Sequence, residues 1–307
     1  MLSNLQVVPS HIWIIGVFSL IQLIYVVARV LSSNIRLDYR RQQGPSDTVN
    51  FLLCGVQSST VELFARHQSC LKGDKVYLDY GRLGFRGSRA ELRGLAKTIV
   101  SVIRESKVGG YEKVNFYGVS LGAKVFTEVI GRMPKQMQKK VTFHVINGVI
   151  APEDVKNPLK ALGRPLEILS WLWPIDLIGT IALRIGHHFG AKADTARFCQ
   201  TRADKHFKSK LDKWANRTMT FGKFAGQVRF LNQRPKVKPS SSVTIINYLS
   251  LHDNEVDIEA QCKSIQEYCE TYEDNPAATC EHRLNTGHAT LYLNIWENCL
   301  TQETPAT

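Results

Sequence analysis

The chain has 307 residues, 44% of them hydrophobic and 21% charged, with 39 Lys and Arg against 27 Asp and Glu and a formal charge of +12. That length holds one α/β domain with an insertion, and the composition, with no internal repeat and no low-complexity tract, excludes a disordered or repeat-built chain. The basicity is local: residues 191–240 carry thirteen Lys or Arg against three Asp, whereas residues 251–307 carry eleven acids and two bases.

The first 28 residues contain no Lys, Arg, Asp or Glu, and Ile12 to Leu31 forms an apolar run of twenty residues. As a helix this run is long enough to cross a hydrocarbon layer of roughly 30 Å. A cleaved signal peptide calls for a basic n-region, which the first eleven residues lack. The segment 1–32 therefore reads as a transmembrane anchor rather than a leader or a buried helix. Arg29, Arg36, Arg40 and Arg41 flank its C-terminal end, and the positive-inside bias places the chain beyond the anchor in the cytoplasm; a secreted or exoplasmic chain, in which the C-terminal cysteines could pair, is the alternative. Residues 33–47, polar and broken by Gly44-Pro45, read as a linker.

Beyond the linker the apolar pattern alternates between strand and helix. Val49 to Gly55 predicts a buried strand and Val61 to His67 a helix. Lys75 to Tyr80 predicts a second strand, followed by a glycine-rich loop to Ser88. Arg89 to Glu105 predicts a helix with Leu92, Leu95, Ile99, Val102 and Ile103 on one face. Val114, Phe116 and Tyr117 then read as a strand that passes through Gly118-Val119-Ser120-Leu121-Gly122 into a helix marked by Ala123, Val125, Phe126, Val129 and Ile130. Such a turn crowds backbone on backbone, so Gly118 and Gly122 are required where a side chain would clash. Ser120 is pushed outward at a helix N-terminus, where free N–H groups and the helix dipole favour developing negative charge.

Val141 to Ile150 predicts a further strand. The next segment, 153–241, breaks the rhythm. Its first half, Leu166 to Phe189, is rich in Trp, Leu and Ile, but Glu167, Pro174, Asp176 and Arg184 interrupt it and argue against a second membrane span. Its second half is the basic stretch, with Lys205, Lys208, Lys210 and Lys213 close together. That stretch reads either as a solvated face or as a surface for anionic lipid headgroups. No nucleic-acid-binding module is visible. Val243 to Leu249 predicts a late strand, followed by the acidic turn Ser250 to Val256. Thr286-Gly287-His288-Ala289 then leads into a helical pattern from Leu291 to Leu300. The seven cysteines form no CxxC pair, four of them fall in the last 46 residues, and no histidine has acidic or cysteine company at metal-ligand spacing.

Taken together, the glycine-serine-glycine turn, the acid three residues before Val256 and the late Gly-His pair resemble the α/β-hydrolase family over residues 48–152 and 242–300. The resemblance implies an α/β fold with a mostly parallel sheet covered by helices on both faces, a helical cap in 153–241 and a second core part in 242–307. It implies Ser120 as nucleophile, Asp253 as acid and His288 as base, with Val56 and Leu121 lending backbone N–H groups to an oxyanion hole. Asp257 and Asp154 are rival acids. One departure is Cys54, where many family members carry histidine before the glycine. No cofactor or metal is called for. The function so implied is a membrane-anchored serine hydrolase acting on a carboxylic ester or related acyl bond, of a lipid or another small molecule. A catalytically inactive member kept as a membrane scaffold is the contrasting reading.

Overall fold

A computed structural model describes residues 10–32, 38–44, 47–55, 60–64, 71–79, 88–106, 110–156, 161–199, 201–240, 242–253, 255–268 and 279–287. It opens with helix α1 (Ser10–Ser32), strands β1 (Asp38–Gln42) and β2 (Thr48–Leu53), the short helix α2 (Thr60–Phe64) and strand β3 (Asp74–Asp79). Helix α3 (Arg89–Glu105), strand β4 (Lys113–Val119), helices α4 (Leu121–Gly131) and α5 (Lys135–Gln138) and strand β5 (Val141–Ile146) come next. Four helices, α6 (Gly163–Leu169), α7 (Trp173–Phe198), α8 (Arg202–Thr218) and α9 (Phe221–Leu231), form the cap. Strand β6 (Thr244–His252), helix α10 (Ile258–Tyr268) and strand β7 (Thr279–Gly287) close the described chain.

The strands make one sheet in the order β1-β3-β2-β4-β5-β6-β7. β1 runs antiparallel to β3, and every other pair is parallel. β2 and β3 are buried along almost their whole length, as the inner strands of a parallel sheet must be when helices cover both faces. Phe51 on β2 stacks on Phe116 on β4, and Phe116 meets the edge of Phe126 on α4. Sheet and helix are thereby locked in one core. The predicted face of α3 is buried as read, and its start is fixed by a capping box between Ser88 and Glu91.

Three features depart from the sequence reading. Residues 38–42 lie in the stretch read as a linker, yet they pair with β3 as an edge strand. Their charged sequence hid the strand, and charge is what an edge exposed to water requires. The strand read as Val141 to Ile150 ends at Ile146, because Asn147 turns to a φ of 40°. Its side-chain oxygen then accepts from Ser250 N at 2.9 Å and ties the ends of β5 and β6. Finally, β7 is a strand with no apolar alternation to announce it. The predicted helix from Leu291 to Leu300 lies outside the described residues.

The edge strand is held by a buried carboxylate. Asp74 accepts from Arg41 at 2.8 Å, Tyr111 Oη at 2.6 Å and Gly44 N at 2.9 Å. Burial alone would raise its pKa, but these donors outweigh burial and hold the carboxyl below its ordinary value. A depressed folded-state pKa contributes stability above the unfolded value, about 3.9, and that stability is lost as pH falls through the folded value. Asp74→Asn is therefore expected to destabilise the fold by about 1–3 kcal/mol at neutral pH. It should also flatten the acid limb of a thermal-unfolding profile below about pH 4. An unchanged acid limb would show that the carboxylate does not hold this edge.

Candidate active site

At the C-terminal edge of the sheet, β4 passes into α4 through Ser120, which adopts φ 49° and ψ −115°. A positive φ in a residue with a side chain costs on the order of 1–3 kcal/mol and persists only where the surroundings impose it. Here they do. Ser120 N donates to Ile146 O at 2.9 Å, and Ser120 O accepts from Ala123 N at 3.1 Å and Val149 N at 3.0 Å. The Ser120 side chain makes no capping bond to the helix it precedes.

The glycines explain how the turn fits. A Cβ on Gly122 would lie 2.4 Å from Leu53 O and 2.9 Å from Cys54 O, and one on Gly118 would lie 2.7 Å from Ala123 Cα. The helix start thus rests directly on the backbone leaving β2. A third glycine was missed in the sequence: a Cβ on Gly55 would come within 2.8 Å of Ser120 Cβ and 3.4 Å of its Oγ. Its signals in sequence are its place at the end of a predicted strand and the family pattern in which this glycine follows a histidine.

Cys54, the departure from the family pattern, is buried in a structural network. Its N–H donates to Thr60 Oγ1 at 3.0 Å, and Thr60 N donates to Asp79 Oδ1 at 2.8 Å. Burial, with the Asp79 charge beside it, pushes the thiol up to about 12, so Cys54 stays a thiol at neutral pH and is no rival nucleophile. Lys223 on α9 faces this cluster, and its burial lowers its pKa. Val56, on the loop after Gly55, lies outside the described residues. Leu121 is fully buried at the first position of α4.

The three carboxylates occupy different settings. Asp253 comes directly after β6 and is buried; its Oδ1 accepts from Glu255 N and Val256 N, both at 2.8 Å. Val256 is buried against Val149 and Val155. Asp257 Oδ1 accepts from Ala260 N at 3.1 Å and caps α10. Asp154 is fully buried, with Oδ2 accepting from Ile150 N at 2.7 Å and Ala151 N at 2.9 Å and Oδ1 from Ser264 Oγ at 2.5 Å. Burial keeps its carboxyl above the ordinary range.

His288 lies outside the described residues, but the approach to it is defined. β7 ends at Gly287 opposite His252, at the same edge of the sheet as Ser120 and Asp253. Thr286 is pinned there, its carbonyl accepting from Ser250 Oγ and its hydroxyl donating to the same oxygen. Another histidine, His144, sits in the core, stacked on Tyr117 and 3.2 Å from the Tyr248 hydroxyl. Among the described residues no group of three His, Cys, Asp or Glu could hold a metal ion.

The cap is tied to the helix that begins after Ser120. Lys124, fully buried on α4, donates to Leu231 O and, at 2.7 Å, to Gln233 O where the chain leaves α9. Burial pushes its pKa down to about 7, against the pull of Asp154 and Glu153. Glu128, one turn on, accepts from Lys236 N at 2.7 Å.

This mostly parallel sheet with helices on both faces has the α/β-hydrolase fold, to which this chain joins the apolar N-terminal helix. The structure resembles an esterase from Exiguobacterium antarcticum (12% identity, TM-score 0.60, covering 87% of this chain and 93% of that one). It also resembles a putative aryl esterase from Burkholderia cenocepacia (15%, 0.58, 84% and 90%) and an enol-lactonase from Burkholderia xenovorans LB400 (13%, 0.55, 87% and 94%). No family model and no curated protein matches the sequence.

The packing at the turn makes a paired prediction. Gly122→Ala must displace the Leu53 and Cys54 carbonyls and is expected to cost about 1–3 kcal/mol or more of stability. Gly94→Ala on α3, with nothing within 4 Å of the added methyl, should stabilise by about 0.5–1 kcal/mol. Differential thermal shifts of opposite sign check this; equal shifts would mean that the close approach does not constrain the turn.

Proposed function

We propose that the protein is a membrane-anchored serine hydrolase that cleaves a carboxylic ester or related acyl bond through an acyl-enzyme. The observation that carries this reading is Ser120, held at φ 49° between a strand and a helix N-terminus. The hydrolytic neighbours of the same fold support it. In the reading, Ser120 Oγ attacks the acyl carbon as His288 takes its proton. The oxyanion forms against the Leu121 and Val56 N–H groups, and removing one such donor in a comparable site costs about 2.7–4 kcal/mol. His288 then protonates the departing alcohol, and a water activated by the same imidazole releases the acid.

Asp253 is the acid that orients His288. Asp257 already serves as a helix cap, and Asp154 is enclosed by three donors of its own turn and α10. What favours Asp253 over both rivals is its place one residue after His252, which pairs with Gly287, the residue before His288.

A lipid or long-chain acyl substrate fits the setting. α1 carries Trp13–Leu31, 19 residues of mean hydropathy 2.2 and almost wholly exposed, long and apolar enough to cross a membrane, a test that signal sequences also pass. We read it as the anchor, with the rest of the chain on the cytoplasmic side. Lys205, Lys210 and Lys213 on α8 are exposed and suited to anionic headgroups. Lys208, expected among them, is instead buried and paired with Asp212 at 2.5 Å.

Turnover of a short p-nitrophenyl ester by the full chain tests the reading. Ser120→Ala and His288→Ala should each lower kcat by roughly 10⁴-fold or more, and Asp253→Asn by about 10⁴. Asp257→Asn should stay within about tenfold of the unmutated chain, because a cap affects stability rather than chemistry. Full turnover by Ser120→Ala would overturn the mechanism, and a large loss in Asp257→Asn with none in Asp253→Asn would move the acid.

A further inference from the structure

The α6–α7 hairpin of the cap turns its polar side inward and its apolar side out. Along α7, Asp176 Oδ1 accepts from Gly222 N at 2.6 Å, and Thr180 Oγ1 accepts from Phe221 N at 2.9 Å. Gly179 lies on the same inner side, where an added Cβ would meet the Phe221 ring at 2.5 Å. The opposite side exposes Leu177, Ile178, Ile181, Ile185 and Phe189, each more than half open. Of the polar residues there, Arg184 folds back to donate to Met219 O at 3.2 Å, and His188 stays exposed with its ring 5.8 Å from that of Phe189. In water this pattern is the reverse of what a surface helix adopts. On α6, Glu167 likewise faces inward, accepting from Trp171 Nε1 at 2.7 Å and Arg229 at 2.8 Å, while Ile168 and Leu169 are exposed.

The same inversion occurs on α1, and the two elements meet along their polar lines. Gln22, Tyr25 and Arg29 share one face of α1, three and four residues apart. Gln22 Nε2 donates to Trp171 O at 2.8 Å, and its Oε1 accepts from Trp173 N at 3.1 Å. Tyr25 Oη donates to Ser170 O at 2.9 Å. Arg29, only 8% exposed, donates to Ser170 O and, at 2.7 Å, to Ser170 Oγ, and lies 4.3 Å over the Trp171 ring. Higher up, Phe18 meets Trp173 at 5.1 Å. Beside this junction is a cavity of about 540 Å³ lined by Phe18, Leu23, Val26, Leu172, Pro174 and Ile175.

We infer that the α6–α7 hairpin is embedded in the same membrane as α1, entering and leaving on one side, with lipid acyl chains covering its outer face. The inference rests on α1 being the anchor. α6 and α7 bend by 120° between Leu169 and Trp173, so the pair turns back instead of crossing. Its contacts run along α1 from Arg29 to Phe18, about 16 Å at 1.5 Å per residue, or about half of a roughly 30 Å hydrocarbon layer. The polar residues that interrupt the apolar run in sequence, Glu167, Asp176 and Arg184, each find a hydrogen-bond partner elsewhere in the protein, as polar groups at membrane depth must. Charged residues return at Lys192, Asp194 and Arg197, where the helix leaves the lipid.

The test uses the full chain reconstituted in vesicles of phosphatidylcholine carrying a photoactivatable diazirine at mid acyl chain, with adducts mapped by peptide mass spectrometry. Adducts are expected on residues 13–31 and also on Leu177, Ile178, Ile181, Ile185 and Phe189, with α8 at background. Ile178→Asp with Ile181→Asp should abolish the α7 adducts and leave those on α1. Adducts confined to α1 would overturn the inference and leave the anchor standing, and chain-to-chain crosslinks through Ile178 in their place would assign the face to a second copy. Adducts on neither helix would overturn the anchor as well.

Discussion

The molecule depends on one close approach of backbone to backbone, the start of α4 against the end of β2. Without a Cβ at Gly122 the helix rests on the Leu53 and Cys54 carbonyls, and without one at Gly118 the strand can turn back under Ala123. The turn then has no relaxed conformation available to Ser120, which takes a positive φ and is fixed by three main-chain hydrogen bonds. The strain, of order 1–3 kcal/mol, is offset by the aromatic core of Phe51, Phe116 and Phe126 and by the fully buried face of α4. A serine hydroxyl at this point meets the positive end of the helix dipole.

From this point the polar groups of the core act mainly as connectors. Asn147 joins β5 to β6, Ser250 joins β6 to Thr286, and Asp154 joins the turn after β5 to α10. Each connection lies at the edge of the sheet where the parallel strands end, the place where open α/β sheets bind ligands. Lys124 and Glu128 extend the same logic to the cap, fastening the exit of α9 to the helix that carries the turn. A shift of the cap would therefore be felt at α4, and the hairpin docked on α1 links that cap in turn to the N-terminal helix.

How much of the structure was legible in the sequence depends on the physics of each element. Inner strands announce themselves because both faces are buried, and β2, β3 and β4 were read within a residue or two. Edge strands carry no such signature: DYRRQ in β1 and TCEHRLNTG in β7 gain their structure from pairing, not from side-chain pattern. The glycines of the turn were legible from spacing, whereas Gly55 was not, since its need arises from a residue 65 positions away in sequence. Among the lysines of the basic stretch, Lys208 looked like its neighbours; only the fold shows that it turns inward to Asp212. The polar residues in α6 and α7 read as interruptions because sequence gives their number and not the side they face. Of the candidate triad, Ser120 and Asp253 fall within the described residues; His288 does not, and neither does Val56 of the oxyanion loop.

If the strained turn presents Ser120 as a nucleophile, the hydroxyl should react with an activated phosphonate. Treating the full chain with a fluorophosphonate and mapping the adduct by tandem mass spectrometry tests this without knowledge of the substrate. A single phosphonyl adduct on Ser120 is expected, formed with loss of fluoride and absent after heat denaturation. A folded chain that gains no adduct at any pH would contradict it and favour a fold retained for binding alone, and an adduct on another residue would place the chemistry elsewhere.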